Sequence, residues 1–256
     1  MLNSTTPHHQ EIFNHLSQIL TVSDYIKGRV SSIKPHDKIE TIYNGIDLTQ
    51  FSRKDDLAVS REDLGLSLDD FVVVFSGRIN KDKGISELID AMLLLQDTPQ
   101  IKLLVLGSTF FGNAPNEDEF VRSLKVKAQS IKENIIFTGF VPYAQMPDYL
   151  QLADVAAIPS VWDDPFPTTV LEAQAIGLPV IVSNRGGILE EIGQQNAIVA
   201  NTECNYVQQL IAAIQHLYND SEARKTMAIA SIKHSKFFNK ERFACDFFNA
   251  IKNKKI

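Results

Sequence analysis

Phe71-Val72-Val73-Val74-Phe75-Ser76-Gly77-Arg78-Ile79-Asn80-Lys81-Asp82-Lys83-Gly84-Ile85 is the stretch that decides the fold. Its first five residues are β-branched or aromatic with no polar interruption, the pattern of a parallel strand covered on both faces. After Ser76-Gly77-Arg78 the spacing changes. Ile85, Leu88, Ile89 and Met92 fall three and four residues apart, which is helical. The same unit recurs downstream. Ile101–Leu106 reads as a strand ending at Gly107, followed by a charged helix over Glu117–Ile131. Ile135-Ile136-Phe137-Thr138 is a strand closing at Gly139, with a short helix at Met146–Leu152. Val155–Ile158 is the next strand, and Thr168–Ile176 a helix stopped by Gly177 and Pro179. Val180–Val182 and Ala197–Val199 add strands. Helices over Asn205–Asn219, Ser221–Lys236 and Lys240–Lys252 complete the chain. Alternation with short connections predicts an α/β fold with a doubly wound, mostly parallel sheet. In such a sheet ligands bind beyond the carboxyl ends of the strands, so the residues just after each strand are the candidates for function.

The first 66 residues read differently. Ile12–Val22 and Tyr25–Ile33 carry fragments of helix and strand, Lys38–Ile42 resembles an isolated strand, and Tyr43-Asn44-Gly45-Ile46-Asp47 is a turn. This segment is too short to enclose a core of its own. It reads as a connector or the end of another domain.

Bulk properties remove several classes of function. A net charge of −6 argues against nonspecific nucleic-acid binding, which needs concentrated Lys and Arg. Cys204 and Cys245 are far apart and belong to no Cys/His cluster, so no metal is expected. The six histidines, including His8-His9, show no paired ligand spacing. No apolar run approaches the roughly 20 residues of a membrane helix, and Met1-Leu2-Asn3-Ser4 does not open a secretory leader. The expectation is a cytoplasmic chain, or one peripheral to the inner face of the membrane.

Two constellations carry chemistry. Arg78 and Lys83 stand in one strand-to-helix loop with Gly77 at its start. There, free backbone N–H groups and the helix dipole favour an anion. The two cations are either a clamp for a diphosphate or ordinary solvated charges. Neither a Walker loop nor Gly-x-Gly-x-x-Gly is present, which speaks against a nicotinamide or flavin enzyme. The lack of Tyr-x-x-x-Lys after a core strand speaks against an epimerase. The second constellation is Asp164-Pro165-Phe166-Pro167-Thr168-Thr169-Val170-Leu171-Glu172. Glu172 lies in an apolar stretch, where a carboxylate is costly unless something binds it. Vicinal sugar hydroxyls are suitable partners. Asp164, Phe166 and the backbone around Pro167, Thr168 and Thr169 would face a hexose or distal phosphate. Alternatively, Asp164 is a helix cap and Glu172 is exposed.

Asp164–Glu172, continued by Ala173-Gln174-Ala175-Ile176-Gly177-Leu178-Pro179-Val180-Ile181 and Gly186-Gly187, resembles the signature of retaining glycosyltransferase family 4. Gly77-Arg78 … Lys83-Gly84 is similar to that family's phosphate clamp. Thr138-Gly139-Phe140-Val141 looks like its nucleobase-side strand end, and Tyr43–Asp47 like its interdomain connector. The resemblance spans about residues 18–250. It implies the C-terminal, Rossmann-like half of a GT-B fold that binds a nucleoside diphosphate-sugar, a UDP-sugar favoured, with no other cofactor and no metal. Arg78, Lys83 and Asp164 would be catalytic. Glu172 would hold the ribose, Phe140 and Val141 would meet the base, and Gly186-Gly187 would allow close approach to the nucleotide. Asp164 stands where the family usually has glutamate, one methylene longer.

Residues 1–66 would be a remnant of the N-terminal domain plus connector, 67–236 the nucleotide-sugar domain, and 237–256 a helix that packs on the N-terminal domain. The acceptor, a glycan, lipid or other hydroxyl, would be met by a domain mostly missing here and supplied by a second chain if the enzyme is split. A non-catalytic nucleotide-sugar-binding subunit is the alternative.

Overall fold

The computed structural model describes residues 13, 15–33, 39–109 and 118–252. The two-histidine pair His8-His9 and residue Glu117 lie outside them.

The body is a six-stranded, wholly parallel sheet. Counting two short strands that precede it, β1 (Ile19–Thr21) and β2 (Ile39–Thr41), its members are β3 (Phe71–Ser76), β4 (Ile101–Leu106), β5 (Ile135–Gly139), β6 (Val155–Ile158), β7 (Val180–Ser183) and β8 (Ala197–Ala200). Their spatial order is β5-β4-β3-β6-β7-β8. The chain therefore winds outward from β3 in one direction, then returns to β6 and winds outward in the other. The crevice between the loops following β3 and β6 is the switch point of the sheet.

Continuous apolar strands follow from this double cover. Phe71, Val73 and Phe75 enter one core with α2 (Ile85–Leu94) and α6 (Tyr206–Asn219). Val72 and Val74 enter the opposite core with Leu104, Leu106, Leu150 of α4 (Met146–Leu150) and α5 (Thr168–Ile176). Alternate residues of a strand point to opposite faces, and here both faces are dry. On α5 every residue from Val170 to Ile176 is buried, so the helix is enclosed rather than amphipathic. Helix α7 (Ser221–Ser235) covers it, and the Ser231 hydroxyl donates to Leu178 O at 2.8 Å.

Two expectations need correction. Glu117–Ile131 is not one helix. Asp118 caps α3 (Glu119–Lys127) by accepting from Phe120 N at 2.8 Å, and the chain then tightens into a 3-10 segment, Gln129–Asn134, with Ile131 outside helical geometry. Nor is Lys38–Ile42 an isolated strand. Ile39–Thr41 pairs in parallel with Ile19–Thr21, around α1 (Asp24–Ile33). The last helix, α8 (Lys240–Lys252), meets the turn at Tyr43–Asp47. Arg242 donates to the carbonyls of Tyr43 (2.7 Å) and Asn44 (2.9 Å), and Lys240 pairs with Asp47 at 2.5 Å. Phe247, Phe248 and Ile251 on α8 remain exposed.

Candidate functional site

An open cleft of about 450 Å³ occupies the switch point. Its walls come from the ends of four strands. Ser76, Gly77, Arg78 and Lys83 follow β3; Leu106, Gly107 and Ser108 follow β4. Phe140, Val141 and Tyr143 follow β5, and Pro167, Thr168, Thr169 and Glu172 form the entry and first turns of α5 beyond β6. Gly77, Arg78, Lys83, Phe140, Val141, Pro167, Thr168, Thr169 and Glu172, nine of the candidates from sequence, thus meet in one place.

The cationic wall is built by a tight loop. Asn80 caps the turn Lys81–Lys83, its side chain accepting from Lys83 N at 3.2 Å. Gly84 then takes φ +70°, and a Cβ there would lie 1.8 Å from Pro159 O. Only glycine lets the loop press on the one after β6. Val161 N and the Ser160 hydroxyl both donate to Asp82 O, at 2.9 and 3.1 Å, stitching the two loops together. Arg78 is exposed and has no hydrogen bond or ion pair among the described residues. Lys83 forms a salt bridge with Asp164. An ammonium has three N–H donors, so this pairing leaves two for an anion in the cleft.

In the same cleft, Glu172 is only 4% exposed. Burial raises its carboxyl to about 7, opposed by hydrogen bonding from Thr168 and Tyr143. The Thr168 hydroxyl donates to Oε1 at 3.1 Å. The cleft therefore sets cations against an aliphatic floor and a buried carboxyl. Such an arrangement suits an anionic, hydroxyl-rich ligand.

Four candidates from sequence sit elsewhere. Phe166 is in the core, stacked on Tyr43 with centroids 5.5 Å apart and tilted against Phe238 at 5.9 Å, so its ring does not line the cleft. Asp164 is buried and paired with Lys83, and it is not among the residues lining the cleft. Gly186 and Gly187 approach protein rather than open cleft. Their Cβ atoms would lie 2.1 Å from Asp164 O and 2.1 Å from Pro165 O. The Gly187 N–H also donates to Asp164 O at 2.8 Å, so the glycine pair fixes the loop carrying Asp164.

Sequence reading missed two residues. Tyr143 stands on the wall beside Glu172 with no motif around it. Glu191, in the turn Ile188–Glu191, is fully buried with neither carboxyl oxygen hydrogen-bonded. Burial raises its carboxyl, and the nearby Asp164 adds to this. Its neighbour Glu190 points out instead and accepts from the backbone N–H of Asp24 (2.7 Å) and Tyr25 (2.8 Å), capping α1. A Glu-Glu pair in sequence looks like a solvated surface, and only the turn separates the two roles.

The parallel sheet with its cleft at the switch point is a Rossmann-like architecture, the fold seen in GT-B glycosyltransferase structures. Residues 58–234 match the family described as Glycosyl transferases group 1, and the chain belongs to that family. YtcC of Bacillus subtilis is 30% identical over 88% of this chain and 57% of its own length. Spore coat protein SA of the same species is 31% identical over 83% of this chain and 58% of its own. This chain thus spans little more than half of these relatives. Among solved structures, Anabaena HepE in complex with UDP-glucose superposes with a TM-score of 0.82 at 23% identity, covering 93% of this chain and 64% of that one. Among the described residues no helix is long and apolar enough to cross a membrane.

Proposed function

We propose that the chain is the donor-binding part of a glycosyltransferase. It would take a hexose from a nucleoside diphosphate-sugar, preferably a UDP-sugar, and pass it with retention of configuration to a hydroxyl of a glycan, lipid or similar acceptor. The observation that carries this reading is that Arg78, Lys83 and the buried Glu172 line one cleft. The family match and the UDP-glucose bound to a structure of the same fold support it.

In this reading the bond between the anomeric carbon and the diphosphate oxygen breaks, the acceptor hydroxyl oxygen forms the new bond to that carbon, and the hydroxyl proton passes to the departing diphosphate. Arg78 and the two free N–H groups of Lys83 bear the charge that grows on the leaving diphosphate, with no metal or other cofactor. Asp164 acts through Lys83, holding the ammonium at the loop. Glu172 accepts from the ribose hydroxyls, while Phe140 and Val141 flank the base. Pro167, Thr168 and Thr169 present the start of α5 to the distal phosphate and sugar. Gly77 lets the backbone approach the diphosphate, and Gly186-Gly187 maintain the loop beneath. The acceptor is met by groups outside the described residues, in a further domain or a second chain. The reaction is placed in the cytoplasm or at the inner membrane face, where nucleotide-sugars are available.

Calorimetry with UDP-glucose, UDP and uridine tests the reading. Arg78→Ala should weaken UDP binding about tenfold, roughly 1.4 kcal/mol, and leave uridine unchanged. Equal losses for both would remove the clamp. An absence of binding to any nucleoside diphosphate-sugar would remove the donor site.

A further inference from the structure

Tyr143 is about half exposed at the cleft rim, in the 3-10 turn Tyr143–Gln145 after Val141-Pro142. Two contacts from the connector hold it there. Its ring lies 5.3 Å from that of the buried Phe51, and its carbonyl accepts from Gln50 Nε2 at 3.1 Å. The hydroxyl faces the Glu172 carboxyl, and that interaction favours the charged form of Glu172 while burial opposes it. The phenol itself is pushed up to about 12, first by burial and then by the Glu172 charge, so it remains a donor throughout the physiological range. Thr168 donates to Glu172 from the same helix. Tyr143, anchored to the connector, and Thr168 thus line the cleft beside Glu172 from separate elements.

We propose that Tyr143 is a positioning residue of the donor site, whose hydroxyl orients the Glu172 carboxylate toward the ribose from a ring fixed by Phe51 and Gln50. This rests on the reading of Glu172 as the ribose acceptor. A second donor beside the Thr168 hydroxyl would fix the directions of the remaining carboxylate lone pairs, so that a vicinal diol meets a preorganised acceptor. The titratable and charged groups near Glu172 are Arg78 and Lys83 in the same cleft, Glu191 in the turn Ile188–Glu191, and Asp47, which acts on Tyr143. Losing the phenol donor removes an interaction that favours ionised Glu172. The proton should then be held to higher pH, and ribose binding should weaken most where the wild type is already ionised and the variant is not.

The experiment measures affinity for UDP and 2′-deoxy-UDP, with the guanosine pair in parallel, from pH 6 to pH 9, for wild type, Tyr143→Phe and Glu172→Gln. Phenylalanine keeps the ring on Phe51, and a thermal melt confirms the fold. The wild type should prefer the ribonucleotide. Tyr143→Phe should cut that preference about threefold to tenfold near pH 7, with the deficit shrinking toward pH 9. Glu172→Gln should abolish the preference at every pH. A Tyr143→Phe deficit of the same size at all pH values, or none at all while Glu172→Gln loses the preference, overturns the role of Tyr143 alone. Retention of full ribose preference by Glu172→Gln overturns the assignment of Glu172, and the role of Tyr143 with it.

Discussion

The six-stranded body and the small unit at residues 19–41 are both parallel strand–helix–strand arrangements, but different forces hold them. In the body, strands such as Leu103–Leu106 are wholly buried between helices on two faces. Among the described residues of the small unit, Val30 is the one buried hydrophobic residue. What fixes it is polar. Glu190 caps the α1 N-terminus, the Thr41 hydroxyl donates to Asp24 at 2.5 Å, and Tyr43 donates to the same carboxyl at 3.2 Å. Ser23 is sealed against Gly187. Burial of apolar area stabilises without regard to direction, whereas capping and carboxylate contacts set geometry and open at lower cost. The body is therefore a scaffold for the cleft, and the small unit is latched onto it beside the loop that carries Asp164.

The largest test of this contrast is Leu104→Ala. A fully buried side chain in a close-packed core should cost about 2–5 kcal/mol, lowering the denaturant midpoint of the whole molecule. A local effect confined to one strand would contradict a single cooperative body. Glu191→Met works in the opposite direction. Because burial raises the folded carboxyl above its unfolded value, Glu191 destabilises the fold increasingly as pH rises above about 4.5. Replacing the unpartnered acid should stabilise by roughly 1–3 kcal/mol at pH 8 and by little near pH 4, as read from melting temperatures across that range. A pH-independent gain would show that packing, not ionisation, is responsible.

Glu190→Ala, one residue away, should leave the body intact and loosen the latch by about 1 kcal/mol. Hydrogen exchange should accelerate in residues 24–33 and not in 101–106. Equal acceleration in both would mean that the two regions open together. The smallest expected effect is that of Lys240→Ala. Its partner Asp47 is held well below the usual carboxylate range, first by Lys240 and then by Thr49. The variant should move Asp47 part of the way back in an NMR titration, with almost no change in melting temperature, since both side chains lie at the surface.

Much of the body and of the cleft could be read from the chain. Strand runs such as Phe71–Phe75, and the loops that follow them, sit at the switch point by topology alone. Arg78, Lys83, Phe140, Val141, Thr168 and Glu172 therefore converge as the strand order requires. The residues whose surroundings could not be read from the chain are those whose contacts depend on which way a side chain turns out of an irregular segment. Phe166 looks inward because Tyr43 and Phe238, from distant parts of the sequence, form its pocket. Asp164 meets Lys83 instead of open cleft, and Gly186-Gly187 accommodate backbone in place of a ligand.

The sequence by itself determined the alternation of elements, the parallel sheet and the strand-end loops, because hydrophobic periodicity and glycine placement are local properties. Tertiary structure alone decided that Glu190 is a latch while Glu191 is sealed, that β1 pairs with β2, and that Tyr143 stands against Glu172. Those outcomes depend on contacts between residues far apart in the chain, where direction and desolvation, not residue type, set the energy.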